Sequence, residues 1–212
     1  MKQINVGIIG TGWCGGIRAN TCARYPSVNE LHIAETNPER LAEVAGETGA
    51  TSAVADYQIL LKDDSIDVII ISATPETVHY PMAKDSLQAG KHVFLEKPIS
   101  LTLVEADELV DLAREKNLKF SIGYSQRFNP KFAYVKKSLN DGTLGAPVAA
   151  VVSRHLTRSL GARISGRIKL SPAAMEATHD LDFVLWCLEP AKPIRVYSQS
   201  AYGVMKDTTG VE

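Results

Sequence analysis

The chain has 212 residues, a net charge of −1, 45% hydrophobic residues and 22% charged residues. This composition is that of a globular protein; it excludes a disordered chain and offers no overall positive charge for binding nucleic acid. No stretch reaches transmembrane length, so we expect no membrane partner. The three cysteines, Cys14, Cys22 and Cys187, lack CxxC spacing, which argues against a disulfide framework or a metal site and favours the reducing cytoplasm.

A glycine-rich turn follows the first apolar run, Ile4 to Ile9, and precedes a predicted helix. Its GxGxxG spacing allows a tight strand-to-helix turn and a close approach of the backbone to a pyrophosphate, which the helix N-terminus would bind. The motif alone is weak evidence, because such glycine triplets also occur in flexible loops. The residues predicted to contact the cofactor here are Gly10, Thr11, Gly12, Trp13, Cys14 and Gly15.

A second predicted strand, Leu31 to Ala34, ends at Glu35, twenty residues after the last glycine of the turn. Dinucleotide-binding folds of the Rossmann type place an acid at this spacing on the adenosine ribose. A carboxylate accepts a hydrogen bond from a 2′-hydroxyl and repels a 2′-phosphate, so NAD is favoured, with NADP possible because Arg24 and Arg40 lie nearby. The alternative is a solvated acid at a strand end. Thr36 and Arg40 complete this set of predicted cofactor contacts.

Two further predicted strands also end in polar residues. The run from Asp67 to Ser72 is rich in β-branched residues without alternation, which is typical of a central parallel strand covered on both faces. Lys91 to Leu95 is counted as the fifth strand, with no residues assigned to the third. Ligands of doubly wound sheets bind at the carboxyl ends of the strands. We therefore predict further cofactor contacts from Ser72, Thr74, Glu96 and Lys97.

Helices are predicted between these strands. His79 falls in the first turn of one of them, where a structural role explains it more readily than catalysis, and it is included among the candidate cofactor contacts. Helix start and stop signals set the boundaries. The predicted helices run from Asn37-Pro38 to Gly46 or Gly49, from Pro75 to Gly90, and from the Thr102–Glu105 capping box to Asn117.

The alternation of strands and helices is completed by a sixth strand, Lys119 to Tyr124, so residues 1–123 are predicted to form a doubly wound α/β domain with a parallel sheet. Residues 124–212 read as an apparently incomplete α+β domain. A half-built sheet exposes strand edges and an apolar face, which predicts a homo-oligomer. Its predicted elements are helices at Pro130–Leu139 and His179–Leu188, and strands at Val148–Ser153 and Ile194–Ala201.

Several segments form one set of motifs: the glycine turn, Glu35 with Asn37-Pro38-Glu39-Arg40, Glu96-Lys97-Pro98, Gly123-Tyr124-x-x-Arg127-Phe128-x-Pro130 and His179-Asp180-Leu181-Asp182. This set resembles the Gfo/Idh/MocA family of glucose-fructose oxidoreductase, inositol dehydrogenase and rhizopine catabolism proteins. The resemblance implies an NAD(P)-dependent oxidoreductase that acts on a sugar, cyclitol or related polyol. It also implies that Lys97 lies in the active site and contacts substrate, at a bend that is often a cis peptide.

Lys97 also has a chemical reason to lie in an active site. Oxidation of a carbinol carbon sends a hydride to the nicotinamide while another group removes the hydroxyl proton. A lysine in a desolvated cleft beside a positively charged nicotinamide gives up its proton more readily, so Lys97 could serve as the base or as an orienting donor. The alternative is an ordinary lysine paired with Glu96 on a surface loop.

His179 matches the family's active-site histidine and is predicted to act in catalysis and substrate binding. The family's aspartate four residues earlier is replaced by Met175 in this chain. Glu176, three residues before the histidine, lies at a neighbouring helix position and could take over the role. Two alternatives stay open: the histidine only binds substrate, or the protein binds NAD as a non-catalytic sensor or regulator.

Tyr124 and Arg127 are predicted to bind substrate where the chain crosses between the domains, facing the cleft. An ion pair that locks the two domains is the alternative for Arg127. Arg154 belongs to a basic segment, Gly142 to Met175, that contains no acidic residue. Such a segment could receive an anionic substrate, and a solvated loop or a contact with another subunit explains it equally well.

Overall fold

The computed structural model describes residues 3–155, 157 and 176–199. The chain divides into two compact units, Met1–Gly123 and Tyr124–Glu212. The first unit is built on a single sheet of six strands. Those strands are β1 (Ile4–Ile9), β2 (Val28–Ala34), β3 (Ser52–Val54), β4 (Val68–Ile71), β5 (His92–Leu95) and β6 (Phe120–Ile122).

All neighbouring strands are parallel, and their order is β3-β2-β1-β4-β5-β6. The chain therefore winds outward in both directions from the β1–β4 pair, which confirms the predicted doubly wound α/β fold. Ligands of such sheets bind at this switch point, at the carboxyl ends of the strands. The five connecting helices are α1 (Trp13–Cys22), α2 (Pro38–Thr48), α3 (Gln58–Leu61), α4 (His79–Gln88) and α5 (Leu103–Glu115).

The core has two parts because alternate residues of each strand point to opposite faces of the sheet. On one face, Ile8 and Ile33 pack with residues of α1 and α2. On the other, Ile69, Ile71 and Leu95 pack with residues of α4 and α5. Both faces of β4 are thus covered, as its unbroken β-branched run predicts.

Local signals set the ends of the helices. The Asn37 side chain accepts a hydrogen bond from the Arg40 N–H at the start of α2, and Gly49 ends that helix in the left-handed conformation. Thr102 accepts from the Glu105 N–H at the start of α5, and Asn117 has a positive φ just beyond its end. The helix predicted from Pro75 is a 3₁₀ turn followed by α4.

In the second unit the two predicted helices are present as α6 (Pro130–Asn140) and α7 (Thr178–Leu188). They pack against each other through Phe132 and Phe183, whose ring centroids lie 4.6 Å apart. The Lys136 ammonium reaches across to the carbonyl of Trp186 at 2.5 Å. Within the described ranges, no helix is both long and apolar enough to cross a membrane.

The strand prediction for Val148–Ser153 is wrong. These residues carry no regular structure, and Val148 is 98% exposed. The prediction for Ile194–Ala201 is also wrong over 194–199, while 200–201 lie outside the described residues. A β-branched run becomes a strand only when another strand completes its hydrogen bonds, and the described residues of this unit supply none.

Lys91, just before β5, is only 5% exposed and donates hydrogen bonds from Nζ to the carbonyls of Asp63 (2.6 Å) and Ile66 (2.9 Å). Replacement by methionine keeps the length but leaves both carbonyls without their donor. We expect Lys91→Met to lower the free energy of unfolding by about 1–3 kcal/mol in urea titrations.

Lys116→Met is the matched control, because the Lys116 Nζ also donates to a carbonyl, that of Gln88, but at an exposed position. Its effect should stay within about 0.5 kcal/mol. Equal losses in the two variants would show that burial of the Lys91 bonds contributes nothing.

Candidate functional site

The predicted cofactor residues of the first unit lie along the carboxyl edge of its sheet. The glycine turn follows β1, Glu35 follows β2, and Ser72 follows β4. Backbone hydrogen bonds continue past the strands: Gly10 N–H donates to Ala34 O (2.8 Å), and Ser72 N–H donates to Ile9 O (2.8 Å). The sheet ladder itself therefore holds these residues side by side.

The three glycines of the turn meet three different surroundings. Gly10 has a φ of +81°, and a Cβ there would lie 2.5 Å from Ala73 Cα. A Cβ on Gly15 would lie 1.9 Å from Gly10 O, so α1 packs onto the end of β1 at a distance that only glycine permits. A Cβ on Gly12 would meet nothing within 4 Å.

The space above Gly12 lies at the N-terminus of α1, of which Gly12 is the N-cap. The first turn of a helix presents N–H groups that no helical carbonyl can accept, and these attract anions. Room for close approach and an anion-binding helix end are what a pyrophosphate requires. The residues present therefore fit a dinucleotide. Trp13, in the same turn, is exposed, and Cys14 is half-buried.

Glu35 is tied to the glycine turn. Its Oε2 accepts hydrogen bonds from Thr11 N–H (2.7 Å) and Thr11 Oγ1 (3.2 Å), and its Oε1 accepts from Asn37 N–H (3.0 Å). Burial by itself would raise the pKa of this carboxyl, but the hydrogen bonds from Asn37, Thr11 and Thr36 outweigh it and the pKa is lowered. A negative charge is thus held at the ribose position predicted from the sequence.

Arg40 holds α2 to the same turn. Its Nε donates to Thr11 O (2.7 Å), and its Nη1 lies 2.6 Å from Glu43 Oε2. A Cβ on Gly16 would lie 2.3 Å from Arg40 Nη2, so the guanidinium packs directly on α1. These contacts engage Arg40 in supporting the turn.

Arg18 is a site residue that sequence reasoning missed. It lies one turn into α1, and its Nη1 donates to Ser72 Oγ (2.7 Å) while its Nη2 forms an ion pair with Glu96 Oε1. The guanidinium also stacks 5.0 Å from the Phe94 ring centroid. Its place three residues after Gly15, on the turn that faces the sheet, is the sequence signal that could have found it.

Glu96 connects this arginine to the predicted active-site lysine. Its Oε2 accepts a hydrogen bond from the Lys97 backbone N–H at 3.0 Å. Lys97 is half-buried, and the Lys97–Pro98 peptide bond is cis, as the motif's bend implies. Glu96 is therefore engaged with Arg18 and with the Lys97 main chain.

His79 is 1% exposed, and both ring nitrogens lie at hydrogen-bond distance from main-chain carbonyls. Nδ1 is 2.7 Å from Pro98 O, and Nε2 is 3.1 Å from Ala73 O. The ring thereby joins the loop after β4 to the loop after β5, which supports the structural role for this histidine. Thr74 is exposed on the first of these loops.

In the second unit, Tyr124 and His179 come together. Their ring centroids are 6.3 Å apart with perpendicular planes, and the Tyr124 hydroxyl is 3.4 Å from Thr178 Oγ1. Both were predicted substrate contacts, and the start of α7 places them next to each other.

Arg127 is engaged by Asp182 of α7. Nε donates to Oδ2 at 2.8 Å and Nη2 to Oδ1 at 2.6 Å, and this hydrogen-bonded pair raises the pKa of the Arg127 guanidinium. The guanidinium also lies 5.4 Å from the Trp186 ring centroid. Both partners belong to the second unit, so this ion pair differs from the interdomain pair considered as the alternative for Arg127.

The carboxylates on either side of His179 both face Arg154. Asp180 accepts a two-pronged hydrogen bond from Arg154, which lowers the pKa of the Asp180 carboxyl. Glu176 Oε2 lies 3.7 Å from Arg154 Nη1. Of the basic segment, Arg158, Arg163, Arg167 and Lys169 lie outside the described residues, as does Met175.

A doubly wound parallel sheet with a glycine turn at its switch point and an acid after β2 defines the Rossmann class of dinucleotide-binding proteins. Residues 4–124 match the family model GFO_IDH_MocA, described as an oxidoreductase family with an NAD-binding Rossmann fold. The chain belongs to this family, and NAD is the dinucleotide that its fold binds.

Relatives with assigned activities include the levoglucosan dehydrogenase of Pseudarthrobacter phenanthrenivorans, 32% identical over 154 residues that cover 68% of this chain and 39% of the relative. The UDP-N-acetylglucosamine 3-dehydrogenase of Acidithiobacillus ferrooxidans is 30% identical over 198 residues, 92% of this chain and 58% of the relative. The chain thus spans 39% to 58% of the length of these two curated relatives.

Among solved structures, the scyllo-inositol dehydrogenase of Lactobacillus casei with bound NAD(H) and scyllo-inositol has a TM-score of 0.74 and 25% identity. The match covers 88% of this chain and 56% of that protein. Within the part of the chain that the structure describes, no group of three or more His, Cys, Asp or Glu residues is arranged to hold a metal ion.

The different surroundings of Gly12 and Gly15 predict different effects of alanine. Gly12→Ala should leave the melting temperature within about 3 °C, since the methyl group enters open space, but should weaken NAD binding at least about tenfold by occupying the pyrophosphate position. Gly15→Ala should also destabilise the fold, because overpacking lowers the free energy of unfolding by about 1–3 kcal/mol or more. Its melting temperature should therefore fall. Scanning and titration calorimetry measure the two effects. Unchanged NAD affinity in Gly12→Ala would contradict the assignment.

The lowered pKa of Glu35 predicts a pH-dependent stability. The stabilisation is present above the unfolded-state pKa of about 4.3 and is lost as the pH falls through the lower folded-state value. The stability advantage of the wild type over Glu35→Gln, measured by urea unfolding, should therefore be largest near neutral pH and shrink below about pH 4. Glu115→Gln, at an exposed acid of α5, is the control. The prediction would be refuted if the difference in unfolding free energy between the wild type and Glu35→Gln did not change with pH.

Proposed function

We propose that the protein is an NAD-dependent oxidoreductase that transfers a hydride between the nicotinamide cofactor and a sugar, cyclitol or related polyol. The observation that carries the proposal is the placement of Lys97: it follows β5, at the edge where the glycine turn and Glu35 also lie. Its main chain is fixed by Glu96. The levoglucosan, inositol and nucleotide-sugar dehydrogenases among the relatives support the substrate class.

Cofactor binding is assigned to the carboxyl edge of the first unit. The turn from Gly10 to Gly15 binds the pyrophosphate, and Glu35 accepts hydrogen bonds from the adenosine ribose hydroxyls. Its carboxylate would repel a 2′-phosphate, which favours NAD over NADP. Arg40, one of the two arginines expected to moderate this preference, donates to Thr11 O and Glu43 and so is engaged by the protein itself.

When bound, the nicotinamide supplies the hydride acceptor or donor. The residues of the chain must transfer the proton, because a carbinol becomes a carbonyl only if the hydroxyl proton also leaves. Lys97 takes this proton or orients the hydroxyl, and returns it in the reverse direction. Tyr124 and His179 of the second unit are proposed to bind the substrate, with His179 as a second proton-handling group.

Glu176 is proposed to act through His179, three residues later on the same helical turn. Its Oε2 lies 3.7 Å from Arg154 Nη1, which compensates its charge. Arg127 is proposed to bind substrate while paired with Asp182. The homo-oligomer and the cytoplasmic location stay predictions, and the alternative of a non-catalytic NAD sensor finds no support among the relatives.

Turnover tests the proposal directly. Incubation with NAD and a panel of inositols, aldoses, anhydrosugars and nucleotide sugars should give the absorbance of the reduced nicotinamide for at least one member. Lys97→Ala should lower kcat about 10²–10⁴-fold, the contribution typical of a proton-transfer group, and leave NAD affinity nearly unchanged by calorimetry. Lys62→Ala, at an exposed lysine of the same unit, is the control.

Two results would count against the proposal. NAD binding without turnover of any panel member would favour the sensor. Full turnover in Lys97→Ala would remove this lysine from the mechanism.

A further inference from the structure

The ion pair between Arg18 and Glu96 joins α1, which starts at the glycine turn, to the segment that carries Lys97. The two side chains are only 20% and 15% exposed. Loss of one partner at this depth would leave the other charge uncompensated, which is costly. The pair is thus a fixed feature of the edge.

Each partner of the pair makes a second polar contact. Arg18 also donates to Ser72 Oγ and stacks on Phe94, so it is braced against the ends of β4 and β5. Glu96 uses its other oxygen to accept the Lys97 N–H. A contact at one oxygen restrains rotation of the carboxylate, which helps to keep its second oxygen beside that N–H.

We propose that Arg18 is a positioning residue for Lys97. It fixes the Glu96 carboxylate, and the carboxylate fixes the Lys97 main chain from which the side chain is directed. Its catalytic consequence rests on the proposed function of Lys97, whereas the positioning itself does not.

A third element shows how closely the pair is enclosed. Gly123 follows β6, and a Cβ at this position would lie 3.2 Å from Glu96 Oε1 and 3.3 Å from Arg18 Nη2. These distances are tighter than ordinary contacts, so the pair would have to shift by a few tenths of an ångström to admit a methyl group at Gly123. Gly123→Ala therefore perturbs the same contact while leaving both charges in the protein.

The first experiment reads the Lys97 N–H directly in the 212-residue chain labelled with ¹⁵N. We expect Arg18→Met and Glu96→Gln to shift the Lys97 amide resonance and to speed its hydrogen exchange at least tenfold. Gly123→Ala should shift the same resonance. Arg114→Met is the matched control, because Arg114 also pairs with an acid, Asp111, but at an exposed position.

Hydrogen exchange at the Ile8 amide, in the buried centre of β1, distinguishes a local effect on Lys97 from destabilisation of the whole unit. Positioning predicts that Ile8 exchange stays within threefold of the wild type in Arg18→Met. An unchanged Lys97 amide, or equal acceleration at Ile8 and Lys97, would overturn the proposal. This arm needs neither substrate nor cofactor.

The second experiment uses the substrate found in the turnover screen. Arg18→Met should lower kcat at least tenfold and change KM for NAD less than threefold. Arg18→Lys should recover part of kcat, because it keeps the charge but not the two-pronged geometry.

The two proposals fail in different ways. If Lys97→Ala retains turnover, the function assigned to Lys97 fails and the amide measurements alone decide on Arg18. If Lys97→Ala is inactive while Arg18→Met keeps full kcat, positioning by Arg18 is overturned and the proposed function stands.

Discussion

The close approach of α1 to the end of β1 determines the geometry of the whole edge. Gly15 sits against the carbonyl of Gly10 with no room for a side chain, and this contact places the helix start beside the sheet. Because the helix is so near, Arg18, one turn later, reaches Ser72 and Glu96. One packing contact therefore fixes both the glycine turn, which is proposed to bind the cofactor, and the segment that carries Lys97.

The second unit organises its charges in a similar way on a smaller scale. Two aspartates of α7 each accept two hydrogen bonds from an arginine outside the helix. Asp182 accepts from Arg127, and Asp180 accepts from Arg154. Paired, half-buried carboxylates keep α7 in one orientation. The ring of His179 meets that of Tyr124 on the helix held in this way.

Most of the first unit could be predicted from the sequence, because the signals for its strands, helices and turns are local. An unbroken β-branched run predicts β4, the glycine spacing predicts the turn, and a count of twenty residues predicts Glu35. The strand predicted at Val148–Ser153 fails because strand formation depends on a partner elsewhere in the chain, which local composition does not reveal. β3 has only three residues, too few for a pattern.

The missed residue, Arg18, has a different cause. An arginine in a helix has the ordinary properties of a solvated side chain, and only the assembled sheet brings Ser72 and Glu96 within its reach. His79 is similar: its sequence position suits either a cofactor contact or a structural role, and only the loops after β4 and β5 show which carbonyls it meets.

Glu35 combines its observed contacts to the glycine turn with the proposed contact to the adenosine ribose, and this combination restricts how cofactor preference can evolve. The carboxylate that would discriminate against a 2′-phosphate is also the acceptor for the Thr11 N–H of the glycine turn. A substitution of Glu35 that allows NADP to bind would at the same time remove the hydrogen-bond acceptor of the Thr11 N–H. A lineage or a designer seeking the switch must therefore supply a second, compensating acceptor, so that selectivity and loop integrity change together.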